Sequence, residues 1–115
     1  MRRIVFNLMN AFLRDSQKRT RYEFYSEIAR KEKLIFVSES FKEFANQNKE
    51  HANWLYQTLQ TLKKEEIFED VTIEITTPTT FGTTLENLDT SIKGEDEEWQ
   101  IKNKKNYRFL IILKH

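Results

Sequence analysis

The stretch at residues 41–62 predicts a long helix with one apolar face. Its apolar and small residues recur at steps of three and four, which is the spacing of side chains along one side of a helix. Two polar side chains, Asn48 and His51, fall inside that face. A buried polar group without a partner costs about 1–3 kcal/mol. These two residues therefore need partners in the core, and they form the first candidate site.

The composition suits one small helical domain and excludes several kinds of site. The chain has 115 residues, 38% of them hydrophobic, and 19 basic against 18 acidic residues give a net charge of +1. So balanced a charge favours neither nucleic acid nor a membrane surface as a partner. Because the sequence has no cysteine, it forms no disulfide, zinc–thiolate or iron–sulfur site. With neither a signal peptide nor a transmembrane run, we expect a cytoplasmic protein.

The amphipathic pattern predicts a helical hairpin followed by a crossover. We expect a first helix over residues 4–31, a turn at Lys33 and a second helix that ends near Lys64. Residues 65–81 then form the crossover. Its β-branched, alternating run resembles a strand, but a lone strand without a partner is unstable. We therefore interpret it as extended chain along the bundle.

A third helix is expected to begin near Thr83. Thr83 and Glu86 have the spacing of a capping box, in which each side chain accepts a hydrogen bond from the other residue's backbone N–H. The helical pattern continues to Trp99, and the sequence after it is first basic and then strongly apolar. We therefore divide the chain into a helical domain at residues 1–99 and a divergent tail at residues 100–115.

The first helix has a predicted core face that contains an acid. Its members are Leu8, Ala11, Phe12, Asp15, Arg19, Tyr22, Tyr25 and Ala29. The opposite face, expected in solvent, carries Lys18, Glu23 and Glu27. One interpretation of Asp15 is a pair with Arg19 one turn away. The other is a metal ligand, because Glu95 and Glu98 also follow an apolar stripe, and facing helices with carboxylates and imidazoles hold iron or manganese pairs.

Three stretches of the sequence resemble the rubrerythrin family. Residues 7–25, NLMNAFLRDSQKRTRYEFY, resemble the first-helix signature NL-x-x-AF-x-x-ESQ-x-R-x-RY. Residues 44–52, FANQNKEHA, are similar to the second-helix motif A-x-x-EKEHA, and residues 81–99 to the third-helix start GTTAENL…GE-x-EEW. The resemblance implies an all-α, ferritin-like helical bundle with a non-haem di-iron centre, an oxidoreductase that reduces hydrogen peroxide.

The resemblance also implies roles for single residues. Asp15 takes the place of the first-helix glutamate ligand, and His51 that of the histidine ligand. Glu95 and Glu98 match the two glutamates of the third helix. Tyr22 matches a tyrosine near the iron site and is therefore the candidate catalytic residue.

The chain also departs from the family pattern. Asn48 replaces the bridging glutamate of the second helix with a neutral amide, which is a weak ligand. No acidic residue follows Glu98, so the family's second acid-x-x-His helix has no counterpart in this sequence. A rubredoxin-like domain would need cysteines to bind its iron, and the sequence has none. We therefore expect an incomplete bundle, made of a long antiparallel hairpin, an extended crossover and a partial third helix, with iron as the cofactor of at most a partial site.

Two functional hypotheses follow. The first is a rubrerythrin-like protein of oxidative-stress defence whose iron binding and hydrogen peroxide reduction are weakened or lost. The alternative is a non-catalytic helical module that associates with itself or with an intact rubrerythrin. For either, we expect a homodimer or higher assembly in which exchanged hairpins complete the bundle, and for the first an electron donor as well. A nucleic-acid role for the basic residues 102–108 is not favoured, because such charges are usual in a solvated tail.

Overall fold

The computed structural model describes the backbone of residues 2–67 and 69–104, and the side chains of that part as far as Glu95. These residues form three α-helices, α1 at Arg2–Lys31, α2 at Ile35–Lys63 and α3 at Thr84–Lys104. The described residues contain no strand, and residues 71–76 are irregular chain. The predicted all-α fold, with no strand in the crossover, is therefore confirmed for the described residues. Two compact units divide the chain, Met1–Thr77 and Pro78–His115.

A tight turn joins α1 and α2 into a hairpin. Lys33 has a φ of 64°, in the left-handed region. Its N–H donates to the carbonyl oxygen of Arg30 at 3.0 Å, and the N–H of Leu34 donates to that of Ala29 at 2.9 Å. These two bonds form a Schellman motif, which ends a helix and turns the chain away from its axis. The turn expected at Lys33 is confirmed.

The core of the first unit lies between α1 and α2. Both helices contribute aromatic rings, and Phe41 of α2 lies 5.8 Å from Tyr22 and 5.5 Å from Tyr25 of α1, measured between ring centroids. Near the turn, Ser26 and Ser38 are buried and hydrogen-bonded across the two helices. The buried apolar side chains are Val5, Leu8, Tyr22, Tyr25, Ala29, Phe41, Ala45, Ala52, Leu55 and Leu59.

Two expectations for α1 are wrong. Lys18, expected in solvent, is buried. Its ammonium nitrogen lies 3.9 Å from Asp15 Oδ1, because residues three apart on a helix are neighbours. Arg19, offered as a partner of Asp15, instead places Nε 3.0 Å from Glu23 Oε1, one turn further along the helix.

In the second unit, α3 begins with the predicted capping box. The N–H of Thr83 donates to Glu86 Oε1 at 3.1 Å, and the N–H of Glu86 donates to Thr83 Oγ1 at 3.3 Å. The hydrogen bonds from the Thr83 backbone and hydroxyl lower the pKa of the Glu86 carboxyl. Beside the box, the buried Asn87 amide donates to the Gly82 carbonyl at 3.1 Å and accepts from the Gly82 N–H at 3.0 Å. The start of α3 is thus held by local bonds.

The end of α3 lies within the expected tail, and the division into residues 1–99 and 100–115 stays a prediction. The helix continues to Lys104, past Trp99, where we placed the end of the helical domain. The side chains of Glu98 and Trp99, and all of residues 105–115, lie outside the described residues. The proposed ligand role of Glu98 and the character of most of the tail therefore stay predictions.

Candidate metal centre

Asp15 of α1 and His51 of α2 meet across the hairpin. The antiparallel register places Phe12 beside Tyr56, with ring centroids 4.9 Å apart, and brings Asp15 opposite His51. Asp15 Oδ2 lies 2.6 Å from His51 Nδ1, and the two side chains are 9% and 33% exposed. At this distance the imidazole N–H donates a strong hydrogen bond to the carboxylate. Two predicted ligands from different helices are therefore brought together, and they bind each other.

Lys18 is the third charged group of the site. Its side chain is 9% exposed, and its nitrogen is the one that faces Asp15 Oδ1. Each oxygen of the Asp15 carboxylate therefore faces a nitrogen, His51 Nδ1 on one side and Lys18 Nζ on the other. Sequence reasoning missed Lys18 because lysine is rarely buried without a partner. The spacing of three residues between Asp15 and Lys18 could have predicted that the two side chains are neighbours on α1.

Tyr22, the candidate catalytic residue, lies in an aromatic cluster. Its buried ring is 5.8 Å from that of Phe41 and 6.3 Å from that of Phe44, and Arg21 Cζ lies 5.9 Å from its centroid. One turn along α1, burial raises the pKa of the Tyr25 hydroxyl, and the nearby positive charge of Arg21 opposes that rise. These contacts give Tyr22 a packing role, and its catalytic role stays a prediction.

The remaining predicted ligands belong to the second unit. Glu95 lies on α3 and is exposed. Within the part of the chain that the structure describes, no three histidine, aspartate or glutamate side chains are grouped so that they could hold a metal ion. The roles assigned to Glu95 and Glu98 therefore stay predictions.

The donor set of the first unit does not fit a di-iron centre. Two atoms bound to one ion at about 2.1 Å and at right angles lie about 3 Å apart. Asp15 Oδ2 and His51 Nδ1 are closer than that, at 2.6 Å, which is the distance of a hydrogen bond. Asn48 supplies an amide where the family motif has a carboxylate, and Lys18 adds positive charge beside Asp15. Both features oppose the binding of two further cations.

None of the helices described has the length and apolar character needed to cross a membrane.

Comparison with known proteins identifies the family. The family model for rubrerythrin matches residues 7–110, further than the resemblance noted in the sequence. Rubrerythrin-1 of Clostridium acetobutylicum is 42% identical over 96 residues, which cover 81% of this chain and 47% of that protein. A putative rubrerythrin of Methanocaldococcus jannaschii is 37% identical over 101 residues, covering 85% and 50%. The rubrerythrin of Clostridium perfringens is 38% identical over 93 residues, covering 80% and 46%.

The chain spans about half the length of the curated relatives it matches. No solved structure matches it significantly. The match of the family model and the identities to these rubrerythrins agree with the motifs on α1, on α2 and at the start of α3. This chain belongs to the rubrerythrin family.

Proposed function

We propose that this chain is a rubrerythrin-type protein of peroxide defence in which iron binding and hydrogen peroxide reduction are weakened. The observation that carries the proposal is the hydrogen bond of 2.6 Å between Asp15 and His51. It supports descent from a metal site, because a carboxylate and an imidazole still face each other from two helices. It also supports weakened binding, because the same two atoms are engaged with each other.

The weakening has a physical cause in the hairpin. A metal ion that binds these two atoms must first break their hydrogen bond. The free energy of metal binding therefore becomes less favourable by the free energy of that bond. Charge-assisted hydrogen bonds of this kind are about twice as strong as neutral ones. We propose Glu95 and Glu98 as further ligands, and Tyr22 as the counterpart of the family's tyrosine near the iron site and therefore as the candidate catalytic residue. Iron, when bound, would supply the redox chemistry.

Metal content and peroxide consumption test this proposal. The purified chain is loaded with Fe²⁺ without oxygen and desalted, and iron per chain and hydrogen peroxide consumption are measured. We expect iron well below about two ions per chain, the content of a di-iron site. Peroxide consumption should be close to that of the same iron free in buffer. Asp15→Ala and His51→Ala serve as controls and should remove the iron that remains.

The opposite result would overturn the proposal. Iron near two ions per chain, lost in both alanine variants and accompanied by peroxide turnover, would mean that the site is complete. The Asp15–His51 bond would then have to open on loading with iron.

A second candidate function is that of a helical module that associates with itself or with an intact rubrerythrin. Large apolar side chains that are exposed on the helices favour it. Phe36 at the start of α2 is 90% exposed, and Leu85 and Ile92, two turns apart on one face of α3, are 79% and 65% exposed. The spacing of Leu85 and Ile92 puts both on one side of α3, and an exposed apolar stripe on a helix is a surface that another protein can bind.

Sedimentation equilibrium tests the second candidate. We expect a dimer or higher assembly at micromolar concentration, and a shift toward monomer in the variant Leu85→Gln/Ile92→Gln. Ile67→Gln is a matched control, because Ile67 is also exposed but lies in the crossover. A monomer at every concentration would exclude self-association.

A further inference from the structure

The site contains a cation that belongs to the chain itself. The side chains of Lys18 and Asp15 are each 9% exposed, and Lys18 Nζ lies 3.9 Å from Asp15 Oδ1. Removing an ammonium group from water is costly, and a nearby negative charge offsets that cost. Asp15 supplies such a charge from one turn earlier on the same helix.

The other oxygen of the same carboxylate crosses to the second helix. Asp15 Oδ2 accepts the hydrogen bond from His51 Nδ1 at 2.6 Å. One carboxylate therefore has a cation of its own helix on one side and an imidazole of α2 on the other.

We infer that the Lys18 ammonium takes the place of a metal cation beside Asp15, so that Asp15, Lys18 and His51 form a metal-independent ionic bridge between α1 and α2. The bridge repels a divalent cation, because an ion bound to Asp15 would lie within a few ångströms of the ammonium group in a poorly solvated site. This inference rests on the proposed function for the weakness of metal binding, and it names Lys18 as a cause of that weakness.

The inference can be separated from the effect of Asn48. Asn48 weakens a metal site because it supplies an amide in place of a carboxylate, whereas Lys18 weakens it by repulsion. The variant Asn48→Glu restores the carboxylate and leaves the repulsion in place. Adding Lys18→Met removes the charge and keeps most of the length of the side chain. The two effects therefore separate when the double variant is compared with Asn48→Glu alone.

Titration with Mn²⁺, followed by isothermal calorimetry, tests the inference on the full chain. We expect Lys18→Met/Asn48→Glu to bind Mn²⁺ at least about tenfold more tightly than Asn48→Glu, because one unit charge at this range is worth more than that factor. Lys42→Met/Asn48→Glu is the matched control, since Lys42 is an exposed lysine of α2. It should bind Mn²⁺ as Asn48→Glu does. Equal affinities in the Lys18 and Lys42 double variants would overturn the inference.

A second measurement needs no variant and so does not depend on how the variants fold. The midpoint of thermal unfolding of the unaltered chain is measured with EDTA and with one Mn²⁺ per chain at micromolar protein concentration, where a weakened site stays largely empty. A metal-independent bridge predicts the same midpoint in both. A higher midpoint in Mn²⁺ would overturn the inference, because a ligand that binds the folded state raises its stability. Neither Mn²⁺ measurement involves peroxide. The proposed function is therefore tested separately, by the measurements of iron content and hydrogen peroxide consumption.

Discussion

Ser26 of α1 and Ser38 of α2 donate their hydroxyl groups to each other's backbone carbonyl oxygen, at 2.8 Å in both directions. Both residues are buried. A serine within a helix often bonds the carbonyl four residues earlier, as Ser40 does with Phe36 at 3.0 Å. Ser26 and Ser38 bond across the helix pair instead, and their small side chains let the two backbones approach closely. The pair therefore fixes the register of the hairpin next to its turn.

Replacing either serine of this pair should destabilise the hairpin. Ser26→Ala and Ser38→Ala should each lower the free energy of unfolding by about 1 kcal/mol, the usual worth of one hydrogen bond. The two hydroxyl oxygens are also 3.0 Å apart, a contact that either substitution removes, so the double variant should lose less than the sum. Urea unfolding followed by circular dichroism measures this. Ser40→Ala is the control and should change stability by less than about 0.5 kcal/mol.

Replacing Lys33 with glycine should stabilise the turn. The φ of 64° at Lys33 is unfavourable for a residue with a side chain and is readily adopted by glycine. Lys33→Gly should therefore raise the free energy of unfolding by about 1 kcal/mol. Lys31→Gly, inside the last turn of α1, should lower it by a similar amount. If both glycine variants are destabilised equally in urea, the left-handed turn is not the conformation in solution.

The two glycines of the chain should respond in opposite ways to alanine. A Cβ at Gly94 meets nothing within 4 Å among the described residues, so Gly94→Ala should stabilise α3 by about 0.5–1 kcal/mol. A Cβ at Gly82 would lie 2.8 Å from Glu86 Oε1, the atom that caps the helix. Gly82→Ala should therefore weaken the cap and lower helix content. Thermal unfolding followed by circular dichroism compares them, and a stabilising Gly82→Ala would contradict the cap geometry.

Stability should fall at alkaline pH because of Tyr25. Burial raises its pKa above the ordinary value of 10.0, so the folded state keeps the phenol proton after the unfolded state has lost it. This contribution is fully present below the unfolded pKa and is lost as pH rises through 10 toward the folded value. Tyr25→Phe, which keeps the ring, should show a flatter dependence of urea stability on pH in that range. An identical fall in both proteins would assign the effect to other groups.

The parts of the fold that depend on local sequence were predictable. The capping box of Thr83 and Glu86 needs only residues three apart, and the turn at Lys33 needs only the break between two amphipathic patterns. Lysine is rarely buried, so residue type alone predicts an exposed Lys18. Its position on α1 faces the core, and the charge of Asp15 makes that position tolerable.

The candidate site was predictable in its members but not in its bonds. The sequence pattern placed Asp15 and His51 on core faces, and the structure brings them together. Whether two such side chains share a metal ion or bond each other depends on a difference of a few tenths of an ångström. That distance is set by the register of two helices and by the rotamers of both side chains, and the spacing of residues along one helix contains no information about either.

The tight turn at Lys33 also has a consequence for the order in which the hairpin folds. Ser26 and Ser38 are twelve residues apart in sequence, whereas Asp15 and His51, and then Phe12 and Tyr56, are successively further apart. Closing a short loop loses less chain entropy, and each contact that forms shortens the loop for the next. We therefore expect the contacts of the hairpin to form in order from the turn toward the helix ends. The serine pair is then formed in the folding transition state, and the Asp15–His51 bond forms later. Substitution at Ser26 should then slow folding, and substitution at His51 should mainly speed unfolding.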